Sequence, residues 1–360
     1  MRNIVYTILV IIFINSSTNF FEEEIVIIKK IILQENLQHA VDLQEVSFFS
    51  DSSFVASSHP SRYPQVIHYN KDGLQINVIS KRGRGPFEFM RPTNVQVCND
   101  EIYVWDHQLS KLMIFDRNGE GIKESTIMEN NSASMALDCN ENIIAYFTRR
   151  SVPLNFVRII NYEEDIFIKD VGSQTIEHEL MTTRVDFHFN MYMNYPNLYY
   201  GSPIRDEIVV YNILSDSEKN ISLNDDDFYL GPNRYETRDQ VNQDIRNAIR
   251  MPYIFSQFKG IYELTDFIVG ITEVGFYNPE NIGILIGNEY NYEEDDPRRL
   301  NLFVYDKNMG FIKKINMNKE IHEEVGLKVV SSFGNSLVFY RADSDSDEVQ
   351  HTLYFLRISL

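Results

Sequence analysis

One short turn recurs along this chain at a nearly constant step, and it constrains the fold more than any other feature. Tyr69-Asn70-Lys71-Asp72-Gly73, Phe115-Asp116-Arg117-Asn118-Gly119 and Tyr305-Asp306-Lys307-Asn308-Met309-Gly310 share one plan. An aromatic closes an apolar run, Asn or Asp opens the turn, and a glycine is available for positive φ. Weaker copies lie at residues 159–162 and 209–212. Aligning Tyr69, Phe115, Ile160, Tyr211 and Tyr305 gives steps of 46, 45, 51 and 94 residues. A period of roughly 40 to 50 residues is that of a propeller blade, and the last step is near twice it.

Residues 80–124 hold the clearest copy. Four apolar runs, at 95–98, 102–105, 111–115 and 122–128, are rich in Val, Ile, Tyr, Trp and Phe and are closed by Asn, Asp and Gly. Such runs read as antiparallel strands joined by hairpins. The double step is read as one blade with insertions. Thr237-Arg238-Asp239-Gln240 is a capping-box pattern followed by apolar Val241, Ile245, Ala248 and Ile249 at helical spacing, with Pro252 ending the run. A short helical insertion is therefore expected within about 224–256. The acidic stretches 224–227 and 292–297 read as solvated loops, and 283–287 as a further strand in an insertion. The final stretch holds three strands at 327–332, 336–340 and 352–358, while the strand-like run at 24–33 has no neighbour to pair with. Joining the two closes a ring and removes exposed sheet edges. The expected fold is all-β: a six-bladed β-propeller over 22–360, its last blade completed by the N-terminal strand.

The bulk properties bound the function classes. The chain is 43% hydrophobic and 24% charged, enough for a large core. A formal net charge of −19 argues against a nucleic-acid partner, because phosphate backbones are bound through clustered Lys and Arg. Residues 1–21 carry Arg2, an apolar stretch at 4–14 and the polar exit Asn15-Ser16-Ser17-Thr18, a secretory signal pattern. Some 11 apolar residues are few for a membrane span, so the membrane is expected to be met only through this segment and the mature chain to be exported. The destination would be the periplasm, outer surface or exterior. Cys98-Asn99-Asp100 and Cys139-Asn140-Glu141 fall at the same point of successive repeats. An oxidising compartment would allow a bridge between them, and two separate buried thiols are the commoner reading.

With these features in view, the chain resembles the TolB-like or NHL-like six-bladed β-propellers found as exported proteins in gut-type Bacteroidetes. Gly83-Arg84-Gly85-Pro86-Phe87-Glu88-Phe89 is similar to that family's G-x-G-P-G-E-F turn between the first and second blades, with Phe87 in place of a glycine. Residues 199–208 look like its fourth-blade segment, with Glu207 and Val209 departing from the usual residues. The resemblance implies the fold. Members mostly lack an assigned activity, so it implies little about function.

The candidate residues are each weighed against a plainer role. Gly83, Gly85, Pro86 and Glu88 are read as a structural turn, with the Glu88 carboxylate tied to backbone N–H groups. Asp106-His107 could serve acid–base chemistry, but neighbouring strand residues face opposite ways, and Asp106 reads better as a turn former. Arg184, Asp186, His188 and Asn190 alternate with apolar residues, which puts four polar groups on one strand face. They would line the central channel if this is an innermost strand; a solvated outer strand is the plainer reading. Tyr199 and Tyr200 could stack on sugar rings, although packing between blades is the usual fate of such residues. Residues 343–348 begin like a calcium loop, but Glu348 and Tyr354 stand where Gly and Glu are required.

No zinc spacing, phosphate-binding loop or nucleophile elbow is present, and no catalytic residue, metal ligand or cofactor is expected, apart from room for a divalent cation in the channel. The leading expectation is an exported binding or scaffold protein holding a protein, peptide or glycan at a propeller face or channel mouth. The alternative is a metal-dependent enzyme of the lactone hydrolase or lyase type, with its ligands in the channel.

Overall fold

The computed structural model describes residues 25–34, 43–58, 65–79, 82–106, 108–126, 134–147, 157–172, 190–228, 237–244, 256–275, 298–343 and 349–360. Within them the chain forms six four-stranded antiparallel sheets, the blades of a propeller. Blade 1 comprises β2 (Leu43–Phe48), β3 (Phe54–Ser58), β4 (Val66–Tyr69) and β5 (Gln75–Ile79). Blade 2 comprises β6 (Pro92–Cys98), β7 (Glu101–Asp106), β8 (Lys111–Phe115) and β9 (Gly121–Ser125). Blade 3 holds β10 (Met135–Asp138), β11 (Ile143–Phe147), β12 (Val157–Asn161) and β13 (Ile166–Val171). Blade 4 holds β14 (Tyr192–Asn194), β15 (Asn197–Tyr200), β16 (Glu207–Asn212) and β17 (Ser217–Ser222). Blade 5 holds β18 (Gln257–Glu263), β19 (Ile268–Val274), β20 (Arg299–Tyr305) and β21 (Phe311–Asn316). In blade 6, β22 (Lys328–Phe333), β23 (Ser336–Asp343) and β24 (Gln350–Ile358) are joined by β1 (Ile25–Ile32).

The closure is the one expected. β1 pairs antiparallel with β24 from Ile25–Ile358 to Ile32–Thr352, with a bulge between Ile27 and Lys29. The chain then continues past the outer strand of blade 1, where Gln34 bridges Leu74 in parallel. Gly73 makes that approach feasible. Its φ is +85°, and a Cβ there would lie 2.5 Å from Ile31 Cγ2 and 2.7 Å from the Ile32 carbonyl oxygen.

Burial explains the residue pattern within each blade. Second and third strands are covered on both faces by neighbouring blades, and β3 and β11 are buried at every position. Outer strands are instead mostly exposed or half-buried, as in β9 and β21. The core lies between blades rather than at the centre. Trp105 of blade 2, for example, is fully buried and stacks on Tyr146 of blade 3, with ring centroids 6.0 Å apart.

The recurring turns use the predicted chemistry, with one correction. Asn70, Asp116 and Asp306 each accept two backbone N–H bonds through the side chain, at 2.8 to 2.9 Å. Gly73 and Gly119 take positive φ, but in the third copy Met309 does so, at 64°, and not Gly310. Gly310 instead leaves room for Asp306, whose Oδ2 would lie 2.5 Å from a Cβ.

The capping box forms. Thr237 Oγ1 accepts from the Gln240 N–H and Gln240 Oε1 from the Thr237 N–H, both at 3.3 Å, opening α1 (Arg238–Gln243). A second helix, α2 (Lys319–Val325), capped by Asn318, was not singled out from sequence. Residues 1–21, 283–287 and 292–297 lie outside the described residues, while in 224–227 Asn224 and Asp226 are exposed as expected and Asp225 is buried.

Candidate functional site

The innermost strands β2, β6, β10, β14, β18 and β22 surround a central channel of about 390 Å³. An innermost strand has one unpaired backbone edge, which must find partners. Here each edge from blade 2 to blade 6 receives a group from the blade before it. Glu45 Oε2 accepts from the Val95 N–H at 3.1 Å and Ser47 Oγ from the Val97 N–H at 2.9 Å, capping blade 2. Gln96 Nε2 donates to the Met135 carbonyl at 3.2 Å in blade 3, and Asp138 Oδ2 accepts from the Tyr195 N–H at 3.1 Å in blade 4. Asn190 Nδ2 donates to the Ile261 carbonyl at 2.7 Å in blade 5, and the Tyr262 hydroxyl to the Val329 carbonyl at 3.2 Å in blade 6. The polar residues of the channel are thus first a belt that joins the blades.

Glu45 differs from the rest of that belt. It is half-buried, lines the channel, and also accepts from Asn94 Nδ2 at 2.7 Å. Burial pushes its carboxyl up to about 8, and the bonds from Asn94 and the Val95 N–H only partly offset that. Near neutral pH Glu45 is therefore mostly the neutral acid. Its neighbour Tyr262 has its hydroxyl pushed well above the ordinary range by burial and by the Glu45 carboxyl. Across the channel Tyr192 is raised by burial and by its bond to Glu263, whose carboxylate pairs with Lys307 at 2.7 Å.

At the rim, Cys98 and Cys139 form a disulfide with Cα atoms 6.3 Å apart, joining the innermost hairpins of blades 2 and 3. The two separate buried thiols favoured from the sequence are thereby corrected to a bridge. Among the described residues, no group of three or more His, Cys, Asp or Glu is arranged to hold a metal ion.

The sequence-predicted residues are dispersed. Asn190 lies on the channel wall, while Arg184, Asp186, His188 and His107 fall outside the described residues. Tyr199 and Tyr200 are buried in the core, at 5% and 2% exposure, and offer no surface for stacking. Tyr199 stacks on Tyr192 at 5.3 Å, and the Tyr200 hydroxyl donates to Glu218 at 3.2 Å. In the Gly-Pro turn, Glu88 Oε2 accepts from the Gly85 N–H at 2.8 Å, and a Cβ on Gly83 would lie 1.8 Å from the same oxygen. Pro86 lies between them, and Phe87 takes a positive φ of 54° where the resembled turn has glycine. Asp106 is fully buried and accepts from the N–H groups of Met90, Arg91 and Leu109 at 2.6 to 2.7 Å. It holds the crossing into blade 2.

Asp225 departs furthest from expectation. Its side chain is fully buried, accepting from Thr272 Oγ1 at 2.7 Å and Lys314 Nζ at 2.8 Å, with Asn301 Nδ2 at 3.1 Å. Asp227 adds Arg299 at 3.0 Å and Lys314 at 3.3 Å. Asp226, between them, and Asn224 before them are exposed as loop residues would be. Glu45, Asn94 and Asp225 were all missed as site residues.

The comparisons with known proteins bear on this geometry. Residues 10–227 match DUF5128, described as a 6-bladed beta-propeller. The chain belongs to that family. No curated protein sequence matches it. Its fold is similar to that of a Bacteroides fragilis NCTC 9343 protein regarded as exported, with a TM-score of 0.61 and 12% identity over 94% of this chain and 96% of the other. A DUF4221 family member from Bacteroides vulgatus ATCC 8482 gives 0.61 and 11%, over 93% and 98%. U3-55K gives 0.52 and 10%, over 91% and 98%. At these identities the likeness concerns the fold alone. No described helix is long and apolar enough to cross a membrane.

Proposed function

We propose that this DUF5128 protein is an exported binding module that seats its ligand in the central channel. The observation that carries the reading is the channel itself. Its volume of about 390 Å³ lies within the range of small-ligand sites, and its wall presents amide, hydroxyl and carboxyl groups on rigid strands. That space suits a small molecule, or one side chain of a protein or peptide partner, or a terminal sugar. Export is supported by the apolar segment at 4–14 and by the fold neighbour regarded as exported. The Gly83–Phe89 turn supports grouping the blades with the TolB-like and NHL-like propellers.

The test is a thermal-shift screen of the mature chain against amines, amino acids, short peptides and oligosaccharides, run in parallel on Ser331→Trp. Ser331 is a half-buried residue of the channel wall, so an indole there fills the space. A channel ligand raises the melting temperature of the wild type and not of the variant. Equal shifts in both proteins would place binding elsewhere and refute the channel reading.

A further inference from the structure

We propose that the channel takes an organic cation, a primary ammonium or guanidinium group, and that Glu45 is its anchor. The inference rests on the channel-binding reading and names the ligand class for it.

Among the described residues the wall of the channel has no lysine or arginine, and its carboxyl groups are Glu45 and Glu263. They are not equivalent. Glu263 is matched internally, by Lys307 at 2.7 Å and by the Tyr192 hydroxyl. Glu45 has no ion-pair partner among the described residues. The bonds it accepts from Asn94 Nδ2 and the Val95 N–H both fall on Oε2. Ser47 at the same seam, and Gln96, Asn190 and Tyr262 at three others, cap the strand edge with neutral groups, Asp138 between blades 3 and 4 being the other acid, so edge capping alone does not require an acid at position 45. Beside it Asn94, 4% exposed, leaves its Oδ1 buried with no hydrogen-bond partner. The described residues of the site therefore offer a carboxyl oxygen and an amide oxygen, both acceptors, and no positive charge to match them.

A buried carboxyl in such a place stays protonated until a cation arrives. The described titratable groups on the surrounding strands do not supply one. Tyr262 and Glu263 of β18 and Tyr192 of β14 add no positive charge. Lys259 of β18 pairs with Glu273 at 3.0 Å, and Lys328 of β22 sits over the Tyr340 ring at 5.1 Å. A hard divalent cation would want six or more oxygen ligands with several carboxylates, which this wall does not present. An ammonium or guanidinium needs only a carboxylate and one or two further acceptors, and the Tyr192 and Tyr262 rings add apolar walls for its carbon stem.

The two sources of such a group are a free amine and a Lys or Arg side chain of a peptide. Isothermal titration with agmatine, with spermidine and with an acetylated, amidated lysine tripeptide separates them. Each titration is run at pH 7 in two buffers of different ionisation enthalpy. Cation binding at Glu45 expels its proton, so close to one proton is released per ligand at pH 7. The affinity rises about tenfold per pH unit up to the Glu45 pKa and then levels. Glu45→Gln, which mimics the neutral acid, keeps the fold and loses binding at least a hundredfold; Asn94→Ala weakens it less.

Binding of a neutral sugar without proton release, and unchanged in Glu45→Gln, would overturn the cation inference and leave the channel reading intact. Stabilisation by calcium or magnesium chloride alone, or no binding of any amine at millimolar concentration, would overturn it as well. Binding that survives Ser331→Trp would remove both readings. Should Glu45→Gln fail to fold, proton release by the wild type still decides the matter.

Discussion

Asn94 donates its side-chain amide to the Glu45 carboxyl at 2.7 Å, across the seam between blades 1 and 2 and across 49 residues of sequence. The same carboxyl oxygen takes the Val95 N–H at the inner edge of the next blade. One acid thus joins two blades and faces the channel, and its protonation state should register in the stability of the ring.

Burial raises the folded-state pKa of Glu45 to about 8, while an unfolded glutamate titrates near 4.3. Between these values the unfolded chain has released a proton that the folded chain retains. Stability from this group is therefore full below about pH 4 and is lost as pH rises toward 8. After discounting for water in the channel, the loss is on the order of 2 kcal/mol. Urea midpoints at pH 5, 7 and 9 should fall in the wild type and fall less in Glu45→Gln. Parallel slopes in the two proteins would assign the pH dependence to other groups.

The Cys98–Cys139 bridge closes a loop with a sequence separation of 41 residues between innermost hairpins. Removing it with Cys139→Ser should cost about 2 to 4 kcal/mol, mainly by freeing the unfolded chain. Differential scanning calorimetry with and without reductant should give the wild type the same loss and leave the variant unaffected. Detection of two free thiols in the denatured, unreduced protein from an oxidising host would contradict the bridge.

Ring closure depends on β1, where Ile31 is 4% exposed and packs into the core between blades 6 and 1. Ile31→Ala should cost about 2 to 4 kcal/mol. Deleting residues 24–33 should lower the melting temperature further and promote aggregation, because the β24 edge is then unpaired. Light scattering during a thermal ramp reads both effects, and a melting temperature unchanged by the deletion would contradict the shared blade.

Asp225 and Asp226 are adjacent in sequence and differ in consequence. Asp225→Ala removes the partner of Lys314, Thr272 and Asn301 and should destabilise by about 3 to 5 kcal/mol. Asp226→Ala, at an exposed position, should stay within about 0.5 kcal/mol. Chemical denaturation of the two variants side by side checks the contrast, and equal effects would mean the buried network contributes little.

The propeller was legible because its signals are local. Asn70, Asp116 and Asp306 bond the backbone two and four residues ahead, so the turn and its period stand in the sequence itself. The unpaired strand at the N-terminus and the incomplete last blade implied one another for the same reason: an open sheet edge demands a partner. The capping box of Thr237 and Gln240 is likewise read within four residues.

By itself, then, the sequence determined the six blades, their closure by β1 and the helical insertion, all consequences of short-range turn chemistry and edge pairing. Only the tertiary structure decided what the polar residues do. It buried Tyr199 and Tyr200, drew Asp225 out of an apparent solvated loop into a buried pair with Lys314, joined Cys98 to Cys139, and set Glu45 and Asn94 together on the channel wall. These outcomes depend on which blade lies against which. A carboxyl's charge, burial and partners are properties of that packing, and residues dozens of positions apart carry no local trace of it.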